Sequence, residues 1–144
     1  MWQKGTRWNV AKPLKVSVDT MVETARREIK EYSAGEAIAL AGDPKMLLVD
    51  IRDPRELARE GKIPGALHAP RGMLEFWIDP QSKYYKPVFG EDKTFVFFCA
   101  GGLRSALTTK TLQDMGLAPV AHIEGGFAAW KAAGGPVEAI SPKT

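Results

Sequence analysis

Cys99 is the only cysteine in the chain, and its neighbours are those of a nucleophile. The segment Thr94-Phe95-Val96-Phe97-Phe98-Cys99-Ala100-Gly101-Gly102-Leu103-Arg104-Ser105 passes from an apolar run of strand type into a helix-compatible sequence. A thiol between a strand end and a helix N-terminus meets free backbone N–H groups and the positive end of the helix dipole, and both favour an anion. Cysteines at such places ionise well below their ordinary pKa of about 8.5. The six residues from Cys99 to Arg104 are expected to connect strand to helix. Gly101 and Gly102 permit backbone conformations closed to other residues, so main-chain N–H groups can converge on one point. Such a nest binds a thiolate, a terminal sulfur carried on it, or the oxygens of an anionic substrate. Arg104 adds a permanent charge whose planar fork of donors suits a sulfonate, and Ser105 is placed to cap the helix. A lone cysteine is more often a small buried hydrophobe. The conjunction of strand end, paired glycines and arginine points instead to chemistry.

The surrounding pattern supplies elements to hold this loop. Residues 19–32 read as a helix, with Val22, Ala25 and Ile29 at helical spacing and Asp19 as N-cap. Ser33-Ala34-Gly35-Glu36 has the form of a capping box before a short helix over Ala37–Ala41. Met46-Leu47-Leu48-Val49 is an all-apolar run of the kind a strand buried on both faces shows. Asp53-Pro54-Arg55-Glu56 starts another helix, which Gly61 ends. Leu67-His68-Ala69 reads as a short strand, and residues 71–90 as a long loop with at most one helical turn. Phe95–Phe98 is the second strong strand. Leu107, Thr108, Thr111, Leu112 and Met115 mark one face of the next helix, and Gly116 suits its end. Val120–Ile123 is a last strand, followed by a Gly125-Gly126 turn into a helix over Phe127–Ala132. Strands alternating with helices predict an α/β domain with a mainly parallel sheet, in which ligands bind at the carboxyl ends of strands.

Composition narrows the possibilities. A chain of 144 residues suits one domain. The expected organisation is a basic arm over 1–16, a domain over 17–140 and a tail over 141–144. Hydrophobic content of 44% and charged content of 26% are ordinary for a globular protein. One cysteine cannot form an internal disulfide, and with two distant histidines it gives no metal-site spacing. No apolar stretch has signal-peptide or membrane-span length, so the cytoplasm is the expected location. The net charge of +3 is spread among acids, without the basic stripe of a nucleic-acid binder. A small anionic substrate suits that balance. No nucleic-acid or membrane partner is expected.

Three segments, in order and spacing, resemble the rhodanese-like sulfurtransferases over roughly residues 33–137. Leu48-Val49-Asp50-Ile51-Arg52-Asp53, Glu56 and Gly61-Lys62-Ile63-Pro64-Gly65-Ala66-Leu67-His68 are similar to the family's first signature. Cys99 through Ser105 is similar to its active-site loop. Gly125-Gly126-Phe127-Ala128-Ala129-Trp130 with Gly134-Gly135-Pro136-Val137 is similar to its C-terminal signature. The resemblance implies a rhodanese-like three-layer domain of about five mainly parallel strands flanked by helices. It implies a thiosulfate sulfurtransferase type of transferase, with Cys99 as nucleophile and persulfide carrier. The N–H groups of Ala100, Gly101, Gly102, Leu103 and Arg104 would hold the sulfur anion, with Ser105 completing the binding loop. The expected partners are a small anionic sulfur donor and a thiol or protein acceptor. No cofactor beyond the covalent persulfide and no metal is expected.

Two other readings remain open at this point. Four residues separate Cys99 from Arg104, a shorter loop than tyrosine phosphatases use, so a phosphatase or arsenate reductase ranks below sulfur transfer. A non-catalytic or regulatory binding module is the competing class. Ala100 and Leu103 stand where cationic residues would assist a sulfonate, leaving Arg104 as the only charge within the loop. Asp50, Arg52 and Glu56 are read as polar contacts that fix loops. His68 is read as a hydrogen-bonded structural residue, Trp130 as core, and Arg71, Trp77 and Tyr84 as parts of a segment that either covers the pocket or packs on the surface.

Overall fold

The computed structural model describes residues 11–140, so most of the expected basic arm and the 141–144 tail lie outside the described residues. Residues 11–16 are exposed and form neither helix nor strand. Elements then alternate in the order α1 (Val18–Glu28), β1 (Lys30–Tyr32), α2 (Ala34–Leu40), β2 (Met46–Asp50), α3 (Pro54–Glu60), β3 (Leu67–His68), α4 (Leu74–Ile78), β4 (Thr94–Phe98), α5 (Leu103–Asp114), β5 (Val120–Ile123) and α6 (Gly126–Ala132). The five strands form one sheet in the order β1-β5-β4-β2-β3, and every pairing is parallel. This is the expected α/β class.

The two-residue period of β4 divides the core. Phe95 and Phe97 pack on one side with Val49, Ile51, Leu74, Phe89 and Leu112. Val96 and Phe98 pack on the other with Leu48, Ala121, Ile123, Phe127 and Trp130. Burial of one such phenylalanine contributes about 1.5–3 kcal/mol, more than an exposed ion pair at about 0–1 kcal/mol. The apolar sandwich around β4 is therefore the rigid platform of the molecule. Continuing the alternation one residue beyond β4 places Cys99 on the Phe95–Phe97 side, where it packs in that cluster.

The two predicted capping boxes are present. Ser33 Oγ accepts from Glu36 N while Glu36 Oε1 accepts from Ser33 N. Asp53 and Glu56 make the same exchange at the start of α3, with Pro54 in its first turn. Elsewhere the boundaries differ from expectation. The helix expected over 19–32 stops at Glu28, and Lys30-Glu31-Tyr32 becomes β1, paired in parallel with Ala121–Ile123. The edge of β5 captures these residues, an interaction their local period does not carry. Ser17, not Asp19, caps α1, its hydroxyl accepting from Thr20 N. The buried face of α5 is Ser105, Ala106, Thr108, Thr109 and Leu112, whereas Met115 is exposed. Residues 71–90 hold more structure than a loop: single 3-10 turns at Arg71–Met73 and Pro87–Gly90 flank α4, and Leu74, Ile78 and Phe89 enter the core.

Candidate functional site

β4 ends at Phe98 and α5 begins at Leu103. The connection is thus Cys99–Gly102, and Arg104 lies inside the first turn of α5 rather than in the loop. The Cys99 side chain is buried, and its Sγ accepts from Gly102 N at 3.2 Å and from Ser105 N at 3.4 Å. Both donors belong to the N-terminal end of α5, where the unsatisfied N–H groups of a helix point outward. Gly102 caps the helix at φ 99°, and a Cβ there would stand 3.0 Å from Gly125 N.

A second helix end grips the loop from the other side. Phe127 N donates to Cys99 O at 2.8 Å and Ala128 N donates to Ala100 O at 3.0 Å. A Cβ on Gly126 would fall 2.5 Å from Cys99 O. The Gly125-Gly126 pair is therefore the surface against which the Cys99 backbone lies, and the first turn of α6 fixes that backbone.

Among the N–H groups of residues 100–105, those of Gly102 and Ser105 reach Sγ. Ala100 is half-buried, while Gly101 and Leu103 are exposed. Ser105 does not cap α5, whose N-cap has no side-chain hydrogen bond. It faces inward instead, with Cys99 Sγ donating to its Oγ at 3.6 Å. Arg104 is not a free cation. Its two terminal nitrogens donate to the two carboxylate oxygens of Glu56 at 2.8 and 2.9 Å. The hydrogen bonds from Arg104 hold the Glu56 carboxyl down at about 2, against its burial and with help from Asp53 N. The Arg104 charge is correspondingly favoured, first by Glu56 and further by its nearness to Cys99. Glu56 thus serves twice, in the α3 capping box and as the anchor of Arg104.

His122 and Glu31 also belong to the site, although neither lies in a motif of the sequence. In parallel register His122 on β5 stands beside Glu31 on β1 and Phe97 on β4, so the three share one face of the sheet. His122 is 1% exposed. Its Nδ1 lies 2.8 Å from Ser105 Oγ and its Nε2 lies 2.7 Å from Glu31 Oε2. Glu31 in turn accepts from Arg26, which also binds Glu124. Burial pushes Glu31 up, yet the hydrogen bonds from Arg26 and His122 prevail and hold its carboxyl below the usual range. Burial pushes His122 down, opposed by Glu31. The available signal was a histidine enclosed in the apolar run Val120-Ala121-His122-Ile123; buried, it needs partners for both ring nitrogens.

Asp50 and Arg52 form a buried ion pair at 2.8 Å with side chains 2% and 0% exposed. Arg52 also donates to Gly61 O at 2.9 Å and stacks on Phe127 at 4.1 Å. His68 Nε2 is bonded to Arg52 O at 2.7 Å, in the structural role expected of it. Trp130 is fully buried, and its Nε1 donates to Pro136 O. A cleft beside Ala100 is lined by Glu56, Arg59, Glu60, Phe127 and Lys131.

The pattern of the rhodanese-like domain matches residues 33–133. A sulfurtransferase of Allochromatium vinosum is 34% identical over 112 residues, spanning 78% of this chain and 94% of its own. The human thiosulfate:glutathione sulfurtransferase is 29% identical over 104 residues, spanning 68% of this chain and 90% of its own. A solved structure from Rhodopseudomonas palustris, described as a protein of unknown function and possible tyrosine phosphatase, is 58% identical with a TM-score of 0.86, covering 90% of this chain and 99% of that one.

Proposed function

This chain belongs to the rhodanese-like domain family, and from that premise we propose that it is a sulfurtransferase whose Cys99 takes a sulfane sulfur from a small anionic donor, such as thiosulfate, and passes it to an external thiol acceptor. The single observation that carries the reading is the pair of N–H groups, from Gly102 and Ser105, aimed at Sγ from the N-terminus of α5. They converge on one atom at the end of a rigid strand, where they would hold a sulfur anion. Relatives named as sulfurtransferases support the reaction class.

In the first step the Cys99 thiolate attacks the outer sulfur of the donor. The new bond joins Sγ to that sulfur, the sulfur–sulfur bond of thiosulfate breaks, and its electron pair leaves with sulfite. In the second step an acceptor thiolate attacks the outer sulfur of the persulfide and the Cys99 thiolate leaves. This is covalent catalysis in two displacements. It uses no cofactor or metal beyond the persulfide. The chain has no second cysteine to resolve that persulfide, so the acceptor is external, a low-molecular-weight thiol or a protein. With Glu56 paired to Arg104 and Arg52 to Asp50, the cleft beside Ala100 keeps Arg59 and Lys131 against Glu60, a small positive balance that suits an anionic donor. Nucleic acid and membrane have no part in the cycle. No helix among the described residues is long and apolar enough to cross a membrane. A reducing compartment such as the cytoplasm would keep the acceptor thiol available.

The description of the Rhodopseudomonas protein makes phosphate-ester hydrolysis the second reading. That chemistry uses a longer loop than the four residues between Cys99 and Arg104, and Glu56 already takes two of the five N–H donors of Arg104. Intact-mass measurement after thiosulfate treatment tests the choice. Cys99 is expected to gain one sulfur atom, removable by cyanide or a thiol, and Cys99→Ser to gain none. Absence of an adduct from thiosulfate and from polysulfide would leave the binding-module reading. Aryl-phosphate hydrolysis that disappears in Cys99→Ser would establish the phosphatase instead.

A further inference from the structure

Cys99, Ser105, His122 and Glu31 form one unbroken hydrogen-bonded line from the nucleophile toward the surface. Its steps are 3.6 Å from Sγ to Oγ, 2.8 Å from Oγ to Nδ1 and 2.7 Å from Nε2 to Oε2. The polarity of the line is fixed from its outer end. The Glu31 carboxylate only accepts, so the proton of a neutral His122 sits on Nε2. Nδ1 is then an acceptor, the Ser105 hydroxyl donates to it, and the Ser105 lone pairs are left facing Sγ. That arrangement satisfies a Cys99 thiol, which donates to Oγ. A Cys99 thiolate would face an oxygen lone pair instead, unless the Ser105 bonds to His122 and Cys99 reverse.

We propose that His122 is the proton partner of Cys99, a positioning residue that receives the thiol proton through Ser105 and returns it when the thiol is restored. The Sγ–H bond breaks with its electron pair left on sulfur. The proton passes to Ser105 Oγ as the Ser105 proton passes to Nδ1. The product is a thiolate–imidazolium pair, and no charge leaves the site. The two inner bonds are kept with their directions inverted, Nδ1–H donating to Oγ and Oγ–H donating to Sγ, while Nε2–H still donates to Glu31 Oε2. The thiolate then has a third donor beside Gly102 N and Ser105 N.

The charged groups around His122 agree with this role. Glu31 on β1 supports the imidazolium directly. Arg26 on α1 opposes it and Glu124, in the turn before α6, favours it. On α5, Arg104 favours the thiolate end. Burial disfavours an isolated imidazolium, so the thiolate supplies the negative charge that permits one. The two groups therefore titrate as a pair.

The inference rests on the sulfurtransferase reading only for what the thiolate attacks, and its test needs no sulfur donor. With one cysteine and two histidines in the chain, ultraviolet thiolate absorbance reports Cys99 alone, and ring nitrogen-15 NMR separates His122 from His68. His122→Asn is expected to move the Cys99 titration to higher pH by about one unit. Cys99→Ser is expected to move the His122 titration to lower pH by the same amount, because coupling is reciprocal. Ser105→Ala should weaken the coupling of the two titrations, leaving only its through-space part. Glu31→Gln preserves an acceptor for Nε2–H on a side chain 24% exposed. It should shift Cys99 in the same direction by less, and it decides the matter if His122→Asn does not fold. A Cys99 titration unchanged in folded Glu31→Gln and His122→Asn overturns the proposal, as do unequal reciprocal shifts. Coupled titrations in a protein that takes up no sulfur would refute the sulfurtransferase reading and leave the relay standing.

Discussion

At the scale of single residues, the decisive side chain is the one already occupied. Arg104 was expected to meet an anionic substrate, and Glu56 holds both arms of its fork. The pair also sets an acid dependence of stability. The Glu56 carboxyl titrates near 2 in the folded protein against 4.5 in its ordinary state. A depressed carboxyl contributes its full stability above the ordinary value, and that contribution is lost as pH falls through the folded value. The window is therefore from about 4.5 down to about 2. Arg104 is 45% exposed, so screening limits the pair to about 1 kcal/mol. Urea unfolding of the wild type and Glu56→Gln should show that gap near neutrality and a shrinking gap toward about pH 3. A gap independent of pH would mean that the pair contributes no charge-dependent stability.

At the scale of elements, the nucleophile loop is a clamp between two helix ends. α5 supplies the donors to Sγ, and α6 supplies the donors to the carbonyls of Cys99 and Ala100. Gly126 and Gly134 separate the two costs of replacing a glycine in this region. Both have positive φ, 61° and 86°, but an added Cβ meets the Cys99 and Ala100 backbone at Gly126 and nothing within 4 Å at Gly134. Gly134→Ala should cost about 1–2 kcal/mol from backbone strain alone. Gly126→Ala should cost about 2 kcal/mol more and should also move the Cys99 thiolate titration. Equal losses in denaturant unfolding would show that the α6 turn does not press on the loop. The loop, its strand and the glycine turn were legible because each rests on local chemistry: an apolar run, paired glycines, capping boxes. The boundary after Glu28 was not, since Lys30–Tyr32 becomes a strand only by pairing with β5. The buried face of α5 was not, because Ser105, Thr108 and Thr109 carry no apolar period. His122 and Glu31 are 91 residues apart in the chain and meet only through parallel register, which no local pattern encodes.

At the scale of the whole molecule, Arg52 ties the first signature to the third. Its guanidinium binds Asp50 at the end of β2, the carbonyl of Gly61 after α3, and the ring of Phe127 in α6. Beside it, Lys62 and Glu138 exchange backbone hydrogen bonds, and Trp130 donates to Pro136 O, so the C-terminal segment closes over the same region. Position 52 therefore supports the α6 turn on which the Cys99 backbone rests. A buried ion pair is weak grounds for net stability, because two desolvated charges cost nearly what their attraction returns, while removing one partner is severe. Arg52→Met leaves the Asp50 carboxylate buried without its partner and should destabilise by about 3–5 kcal/mol. Adding Asp50→Asn removes the stranded charge. The double variant should then recover about 1–3 kcal/mol relative to the sum of the two single losses. Measured in denaturant, strict additivity would show that the pair does not act as a unit. A double variant that regains stability but not sulfur uptake would show that Arg52 is kept for aligning α6 with the Cys99 loop rather than for holding the domain together.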